Sequence, residues 1–417
     1  MVQTIEKELI VSLEVGNTKI VVLIGEILKK EIKIIGIGSC KSKGIDKNGI
    51  NDLTNLIKCI KFCLQQAENS SNCFIDSVLL SISNKYIFSQ NEIGIIPILG
   101  KEITYQDVNN VINIAKYVKI KNNHTILHII PQEYIIDNNR GIKNPIGLTG
   151  IRMQAKVHLI TCNKIILKNL IQAVEKTGVK VNQAIFSGLA SSQSVLTKEE
   201  KENGVCMIDI GSDTMDITLY HSGFLEYSKV IPYSGNSITN DISYAFSISK
   251  KHAEIIKLNY DVIIQQDKNS EIDIPEINKK IYKKINKKIL SDVIESRYTE
   301  LLSLVKNEIK KIQNQSDKTI NIEKKKEYNI VLTGGAANIN SIIHYAKKIF
   351  KNQSIRIGYP SFIKESIINL SNPEYSTSIG LLKYGKNKIL NIKNNKKKLN
   401  NIKNFFQKIN YWIKKSF

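Results

Sequence analysis

The sequence predicts an α/β protein of two related lobes, with a small α+β domain inserted in the first and an amphipathic helix at its C-terminal end. Three observations predict it. An apolar strand, an acidic residue, a tight glycine turn and a second apolar strand occur twice, as Leu9–Ile24 and again as Val205–Ile217. A third glycine loop, Thr333-Gly334-Gly335-Ala336, follows another apolar strand. The last sixteen residues, 402–417, set large aromatics on one helical face and lysines on the other.

In chain order, the runs within 9–38 read as short strands, 51–68 as an amphipathic helix carrying Leu53, Leu56, Ile57, Ile60, Leu64 and Ala67, and 77–82 as a strand. Strand, hairpin, strand, helix, strand is an α/β plan. The character changes between 84 and 161, where a helix at 106–117 lies among long strands separated by Asn138–Gly141 and Asn144–Gly147. The α/β pattern resumes with a helix at 163–177 and a strand at 179–186. Residues 238–312 read as mostly helical, with an irregular stretch at 260–276. Strand 329–333, helix 338–350 and a last helix near 376–384 complete the globular part.

These elements divide the chain into a first lobe (7–83 and 162–195), the insertion (84–161) and a second lobe (196–359) with a helical subdomain about 233–304. A return to the first lobe at 360–382, a basic linker at 383–401 and the terminal helix at 402–417 follow.

Composition narrows the function classes. The 417 residues, 42% of them hydrophobic, suffice for several domains with buried cores. No run of eighteen apolar residues exists, so no spanning helix is expected, and Met1–Glu8 lacks an apolar signal core. The net charge is +22, and with Arg140, Arg152, Arg297 and Arg356 the only arginines, lysine carries nearly all of the positive charge. A Lys/Ile/Asn bias is what an A+T-rich genome produces, so charge by itself does not argue for a nucleic-acid partner, and none is expected. The six cysteines show no paired CxxC spacing and read as free thiols. His124 and His128 share a strand with no third ligand nearby, which does not make a metal site.

The paired loops carry the chemistry. A phosphate is gripped by several inward-facing backbone N–H groups, which only a tight, glycine-permissive turn presents without side chains in the way. Gly16, Asn17, Thr18 and Lys19 offer one such turn; Gly211, Ser212, Asp213 and Thr214 offer the other. Glu14 and Asp209, one at each strand end, are candidates to position Mg²⁺ through its water shell, since this ion takes one or two carboxylates plus waters and phosphate oxygens. Gly334, Gly335 and Ala336 would let adenosine lie against the backbone. A carboxylate at Asp213 facing the phosphates would be repelled, so Asp213 is expected either to turn outward or to make nucleotide binding strongly Mg²⁺-dependent.

First phosphate loop, second phosphate loop and adenosine loop in this order resemble the actin-like ATPase superfamily. Within it the chain resembles the FtsA family of bacterial cell-division proteins from end to end. The stretches 34–52 (IIGIGSCKSKGIDKNGIND), 131–134 (PQEY), 141–162 (GIKNPIGLTGIRMQAKVHLITC), 186–197 (FSGLASSQSVLT), 297–302 (RYTELL) and 331–337 (VLTGGAA) carry the likeness. The resemblance implies an actin-like fold that binds ATP and Mg²⁺ and polymerises with copies of itself. It also implies a protein at the inner face of the cytoplasmic membrane at the division septum, which tethers FtsZ filaments and recruits later divisome proteins. Any ATP hydrolysis is expected to be slow. Such proteins differ from this pattern in one place, since FtsA relatives commonly carry glycines where this chain has Ser212 and Asp213.

Further roles follow from the resemblance. Glu254 and Lys257 have the E-x-x-K spacing that many actin-like proteins direct at adenosine; an ordinary surface ion pair would look the same. The lysine pairs at 279–280, 283–284 and 287–288 read as a basic helical face. With Arg297 nearby, that face lies where FtsA-like proteins receive the acidic C-terminal peptide of FtsZ; codon bias explains the lysines equally well. Chaperones of the DnaK type need a large domain after the adenosine loop, sugar kinases need a catalytic base in the cleft, and the shape protein MreB lacks the 84–161 insertion.

The tail reads as a membrane foot. At 100° per residue Ile402, Phe405, Phe406, Ile409, Trp412, Ile413 and Phe417 fall within an arc of about 140°, while Lys403, Lys408, Lys414 and Lys415 fall outside it. Residues 383–417 contain 11 lysines and no acid, which suits an anionic membrane surface.

Overall fold

Alternating β-branched residues build each lobe around a sheet, and the two sheets have the same plan. The computed structural model describes residues 8–28, 31–118, 120–259, 271–275, 282–317, 328–339, 341–361 and 370–390. The first lobe opens with β1 (Leu9–Val15), β2 (Lys19–Leu28) and β3 (Glu31–Lys41), an antiparallel meander in which Ile20, Val21, Val22, Leu23 and Ile24 are all fully buried. Burial of consecutive residues means that both faces of β2 are covered. A short hairpin, β4 (Ile45–Asp46) and β5 (Gly49–Ile50), leads into α1 (Leu53–Ser71). Asp52 caps α1 by accepting the Asn55 N–H at 3.0 Å. The helix buries Leu56, Ile60, Cys63, Leu64 and Ala67 against β3. Gly38 permits that approach, because a Cβ there would lie 1.9 Å from the Cys63 carbonyl oxygen. β6 (Ser77–Ile82) then pairs parallel to β1.

The insertion is a four-stranded antiparallel sheet built from β7 (Phe88–Pro97), β8 (His124–Ile136), β9 (Asn139–Ile142) and β10 (Arg152–Asn163), in the order β7-β10-β8-β9. Its helix α2 (Tyr105–Lys116) begins at a capping box made by Thr104 and Asp107. Ile96, Ile98, Val111, Tyr134 and Met153 give the insertion a core of its own.

The chain re-enters the first lobe through α3 (Lys164–Glu175) and β11 (Lys180–Phe186), which completes a sheet of order β11-β6-β1-β2-β3. α4 (Ser187–Val195) is buried along nearly its whole length between the lobes, and α5 (Lys198–Asn203) follows.

The second lobe repeats the first. It comprises β12 (Val205–Ile210), β13 (Met215–His221), β14 (Phe224–Ile231), α6 (Gly235–Phe246), α7 (Lys250–Leu258), β15 (Glu271–Pro275), β16 (Tyr282–Asn286), α8 (Lys287–Asp317), β17 (Asn329–Thr333), α9 (Ser341–Phe350) and β18 (Ile355–Ile357). Its main sheet has the order β14-β13-β12-β17-β18, an antiparallel meander followed by two parallel strands, as in β3-β2-β1-β6-β11. A helix over 376–390, here α10, returns to the first lobe and buries Ile379, Leu381 and Leu382 in its core.

Two expectations are corrected. Lys283 and Lys284 do not belong to a basic helical face, because residues 282–286 are a strand paired with 271–275; Lys287 and Lys288 open α8, and Lys279 and Lys280 lie outside the described residues. Alternation wins over the four-residue lysine repeat there: Ile274 and Ile285 are buried while Lys284 is exposed beside Glu271. The basic linker does not begin at 383 either, since α10 runs through 390 with Tyr384 and Ile389 packed on the first core and Lys388 bonded to Gln183 at 2.6 Å.

Candidate nucleotide site

Equivalent hairpins place equivalent loops on the two sides of one cleft. In the first loop the Gly16 N–H donates to the Lys19 carbonyl at 3.0 Å, and in the second the Gly211 N–H donates to the Thr214 carbonyl at 3.0 Å. Both turns are tight enough that a Cβ would crowd the closing carbonyl, at 2.9 Å for Gly16 and 3.1 Å for Gly211. The start of α6 supports the second loop, with the Asn236 N–H on the Ser212 carbonyl at 2.6 Å and the Ser234 hydroxyl on the Gly211 carbonyl at 2.7 Å. Gly334 has φ +92°, and a Cβ there would meet Asp209 Oδ1 at 2.3 Å, so glycine is required where β17 turns towards the cleft.

Between the loops lies a cavity of about 300 Å³. Glu14, Gly16, Asn17, Thr18 and Lys19 line it from the first lobe, and Asp209, Gly211, Ser212, Thr214, Glu254, Lys257, Gly334, Gly335 and Ala336 from the second. Every cleft residue singled out in the sequence is therefore in the wall except Asp213. Its carboxylate accepts from Asn236 Nδ2 at 2.8 Å and from Asn17 Nδ2 at 3.0 Å instead.

Glu254 and Lys257 share one face of α7, with Nζ 2.7 Å from Oε2. This is no surface pair: Lys257 is 5% exposed and also donates to Thr239 Oγ1 at 2.9 Å and the Gly235 carbonyl at 3.3 Å.

The cavity floor is acidic. Glu14 accepts from the Ser378 hydroxyl, Asp209 from the hydroxyls of Ser191 and Thr377, and Asp216 from the Ser83 hydroxyl at 2.6 Å. Burial raises the pKa of all three; Lys19 opposes the rise at Glu14, the Ser191 hydroxyl opposes it at Asp209, and repulsion from Asp209 adds to it at Asp216. A hydrated divalent cation brought in with a polyphosphate would relieve that crowding, and the donor set of loop amides, Lys19 and buried carboxylates fits Mg²⁺ with nucleotide. Among the described residues no cluster of three or more His, Cys, Asp or Glu is arranged to ligate a metal directly.

Sequence reasoning missed Ser83, Asp216, Pro373, Glu374 and Thr377 in this wall. Asp216 was within reach, since strand alternation puts it on the face of Thr214, and both side chains bond Ser83. The others approach from distant segments and leave no local signal.

Other candidates lie elsewhere. His128 Nε2 accepts the Phe186 N–H at 2.9 Å inside the core, and burial lowers its pKa to about 4; His124 packs against the Phe88 ring. The six cysteines are free thiols. Arg297 is held by both carboxylate oxygens of Asp241, at 2.5 and 3.0 Å, and by Glu300 at 2.6 Å. The tail residues Phe405, Phe406, Lys408, Ile409, Trp412, Ile413, Lys414, Lys415 and Phe417 lie outside the described residues. No described helix is long and apolar enough to cross a membrane.

Comparison with known proteins agrees with this geometry. The family described as "SHS2 domain inserted in FTSA" matches residues 84–161, and the family described as "Cell division protein FtsA" matches residues 206–380. Over 424 aligned residues, covering all of both chains, the sequence is 50% identical to a cell division protein FtsA of Buchnera aphidicola subsp. Acyrthosiphon pisum (strain APS). Over 422 aligned residues it is 44% identical to that of Escherichia coli (strain K12), again covering all of both chains. Among solved structures it is similar to the PilM–PilN type IV pilus biogenesis complex (TM-score 0.61, 14% identity, 90% of this chain and 98% of that one). It is also similar to MreB5 of Spiroplasma citri bound to AMPPNP (TM-score 0.55, 14% identity, 94% and 99%). At these identities the structural likeness speaks for the fold.

Proposed function

The chain belongs to the FtsA family of cell-division proteins and has an actin-like fold, and from that premise we propose that it binds ATP with Mg²⁺ between its lobes, assembles into filaments and anchors FtsZ filaments at the inner face of the cytoplasmic membrane. The observation that carries this reading is the meeting of both phosphate loops, the Glu254–Lys257 pair and the Gly334–Ala336 loop around one cavity.

In this reading the loop amides and the hydroxyls of Thr18 and Thr214 would bind the phosphates, and Glu14 and Asp209 would hold Mg²⁺ through its water shell. When bound, Mg²⁺ supplies positive charge to the acidic floor. The nucleotide acts chiefly as a ligand that favours the closed arrangement of the lobes. Hydrogen bonds from Ser378 to Oε2 of Glu14, and from Ser191 and Thr377 to Oδ2 of Asp209, fix the two carboxylates in place, and any hydrolysis is slow in this reading. The 402–417 helix is the membrane foot, the insertion serves subunit contacts, and the region around Arg297 receives the FtsZ peptide. Later divisome proteins join the assembled filament.

Recruitment of FtsZ filaments to vesicles containing anionic lipid, with and without Mg·ATP, tests the proposal. FtsZ pelleting that requires this protein and increases with Mg·ATP is expected; vesicles that bind the protein but gather no FtsZ would remove the adaptor role.

A further inference from the structure

Lys19 closes the first phosphate loop, yet its ammonium is held by two groups that the nucleotide reading leaves without a task. Nζ lies 2.9 Å from Glu374 Oε2 and 4.1 Å from the centroid of the Tyr375 ring. Both partners come from one short 3₁₀ turn, Pro373–Tyr375. That turn is well anchored. Asn372 accepts the Glu374 N–H at 3.0 Å, Pro373 is buried, and the chain continues directly into Thr377 and Ser378, whose hydroxyls reach Asp209 and Glu14. Glu374 is thereby presented at the cavity wall by a fixed element rather than by chance of a long side chain.

The cavity wall holds one other described cation, Lys257, and that one is committed to Glu254, Thr239 and the Gly235 carbonyl. Lys19 is the cation that can change partners. Its side chain is 28% exposed and that of Glu374 is 37% exposed, but the ammonium nitrogen itself is out of solvent and makes no hydrogen bond of good geometry, so the contact with Glu374 is one of charge alone and leaves the donors of Lys19 unspent. An ammonium is a point charge with three rotatable donors, which suits transfer between two oxyanions.

Resting on the nucleotide reading above, we propose that Glu374 is a positioning residue that competes with phosphate for Lys19. In nucleotide-free protein Lys19 is parked on Glu374 and Tyr375. A polyphosphate entering the cleft takes the ammonium, and the released carboxylate, half open to solvent, turns outward. On nucleotide release Lys19 returns to its parked position, so the pair weakens binding and keeps it reversible.

The test is calorimetric titration of the full chain with Mg·ATP in four forms: unaltered, Glu374→Gln, Lys19→Met and the double variant. Thermal melting confirms folding, and its shift at millimolar Mg·ATP reads weak binders. Glu374→Gln should tighten binding about three- to tenfold, the range expected when one charge contact without a hydrogen bond is given up, and the gain should vanish in the Lys19→Met background. Unchanged or weaker binding by Glu374→Gln would overturn the exchange. A gain that persists in full without Lys19 would do so too, because it would come from direct repulsion between Glu374 and phosphate. If the unaltered, folded protein takes up no Mg·ATP, the nucleotide reading itself fails and the exchange goes with it; if it binds and only the Glu374→Gln gain is missing, the exchange alone fails.

Discussion

Asn17 and Asp213 meet across the cleft: the Asn17 side-chain amide donates to the Asp213 carboxylate at 3.0 Å, tying the first glycine loop to the second. The second Asp213 oxygen is held by Asn236 at 2.8 Å, so side-chain amides engage both oxygens of the carboxylate. An acid that would repel phosphates thus fastens the two lobes together. Asn17→Ala and Asp213→Ala should each lower stability by about 1 kcal/mol, with a coupling of about 0.5–1.5 kcal/mol in the double variant. Denaturant unfolding of the four proteins without nucleotide measures it, and additive losses would mean that the contact contributes nothing.

The buried acids make a separate prediction. Burial raises the pKa of Asp209, and Asp209 in turn raises that of Asp216, so charge on this floor is costly without a cation. Asp209→Asn should leave the nucleotide-free protein as stable as before or more so at neutral pH. It should also reduce the ratio of Mg·ATP affinity to metal-free ATP affinity by about tenfold. Titrations with and without EDTA would read the ratio; an unaltered ratio would take Asp209 out of the Mg²⁺ site.

Histidine burial sets a pH dependence. His158 joins the insertion to the second lobe, with Nδ1 on Asn91 at 2.6 Å and Nε2 accepting the Ser228 hydroxyl at 2.9 Å, and burial lowers its pKa from the ordinary 6.5 to about 3. Above pH 6.5 the imidazole is neutral whether folded or unfolded. As pH falls below that value the unfolded chain binds a proton that the folded chain refuses, costing about 1.4 kcal/mol per pH unit until the folded group titrates. The buried carboxylates, with raised pKa, pull the other way, so a variant is needed to isolate the histidine. The stability advantage of the unaltered protein over His158→Gln should shrink by about 1.6 kcal/mol between pH 6.5 and 5. Denaturation at the two pH values checks it; a constant difference would contradict a neutral buried His158.

Removing 402–417 should release the protein from anionic vesicles while leaving its melting temperature unchanged, because the described first core closes with α10 upstream of that segment. Co-sedimentation of the truncated chain undiminished from that of the full chain would sink the membrane-foot reading.

Much of the fold was legible because the lobes are written locally. Apolar runs broken by Gly16 and Gly211 can only be hairpins, and the strands at 77–82 and 329–333 end where their apolar runs do. The β15–β16 hairpin was hidden because lysine pairs at a four-residue spacing imitate a helix, while the deciding signal is the burial of Ile274 and Ile285. The helical 383–390 was masked by its lysines, although Tyr384 and Ile389 hold it to the core. The same division runs through the site. Loop residues announce themselves by sequence, whereas Ser83, Glu374 and Thr377 enter the cavity only through tertiary proximity.

The central claim is that the cleft between the two lobes binds a nucleotide, and Mg·ATP calorimetry on the full chain and on Gly335→Val tests it most directly. Gly335 lines the cavity and has room for a Cβ, with Glu374 Cβ 3.8 Å away as the nearest atom, so a larger side chain there begins in open space and extends into the site. One saturable site in the unaltered protein, abolished in a Gly335→Val variant that still melts normally, is the predicted result. No uptake of Mg·ATP by the folded protein, or equal uptake by both forms, would contradict it.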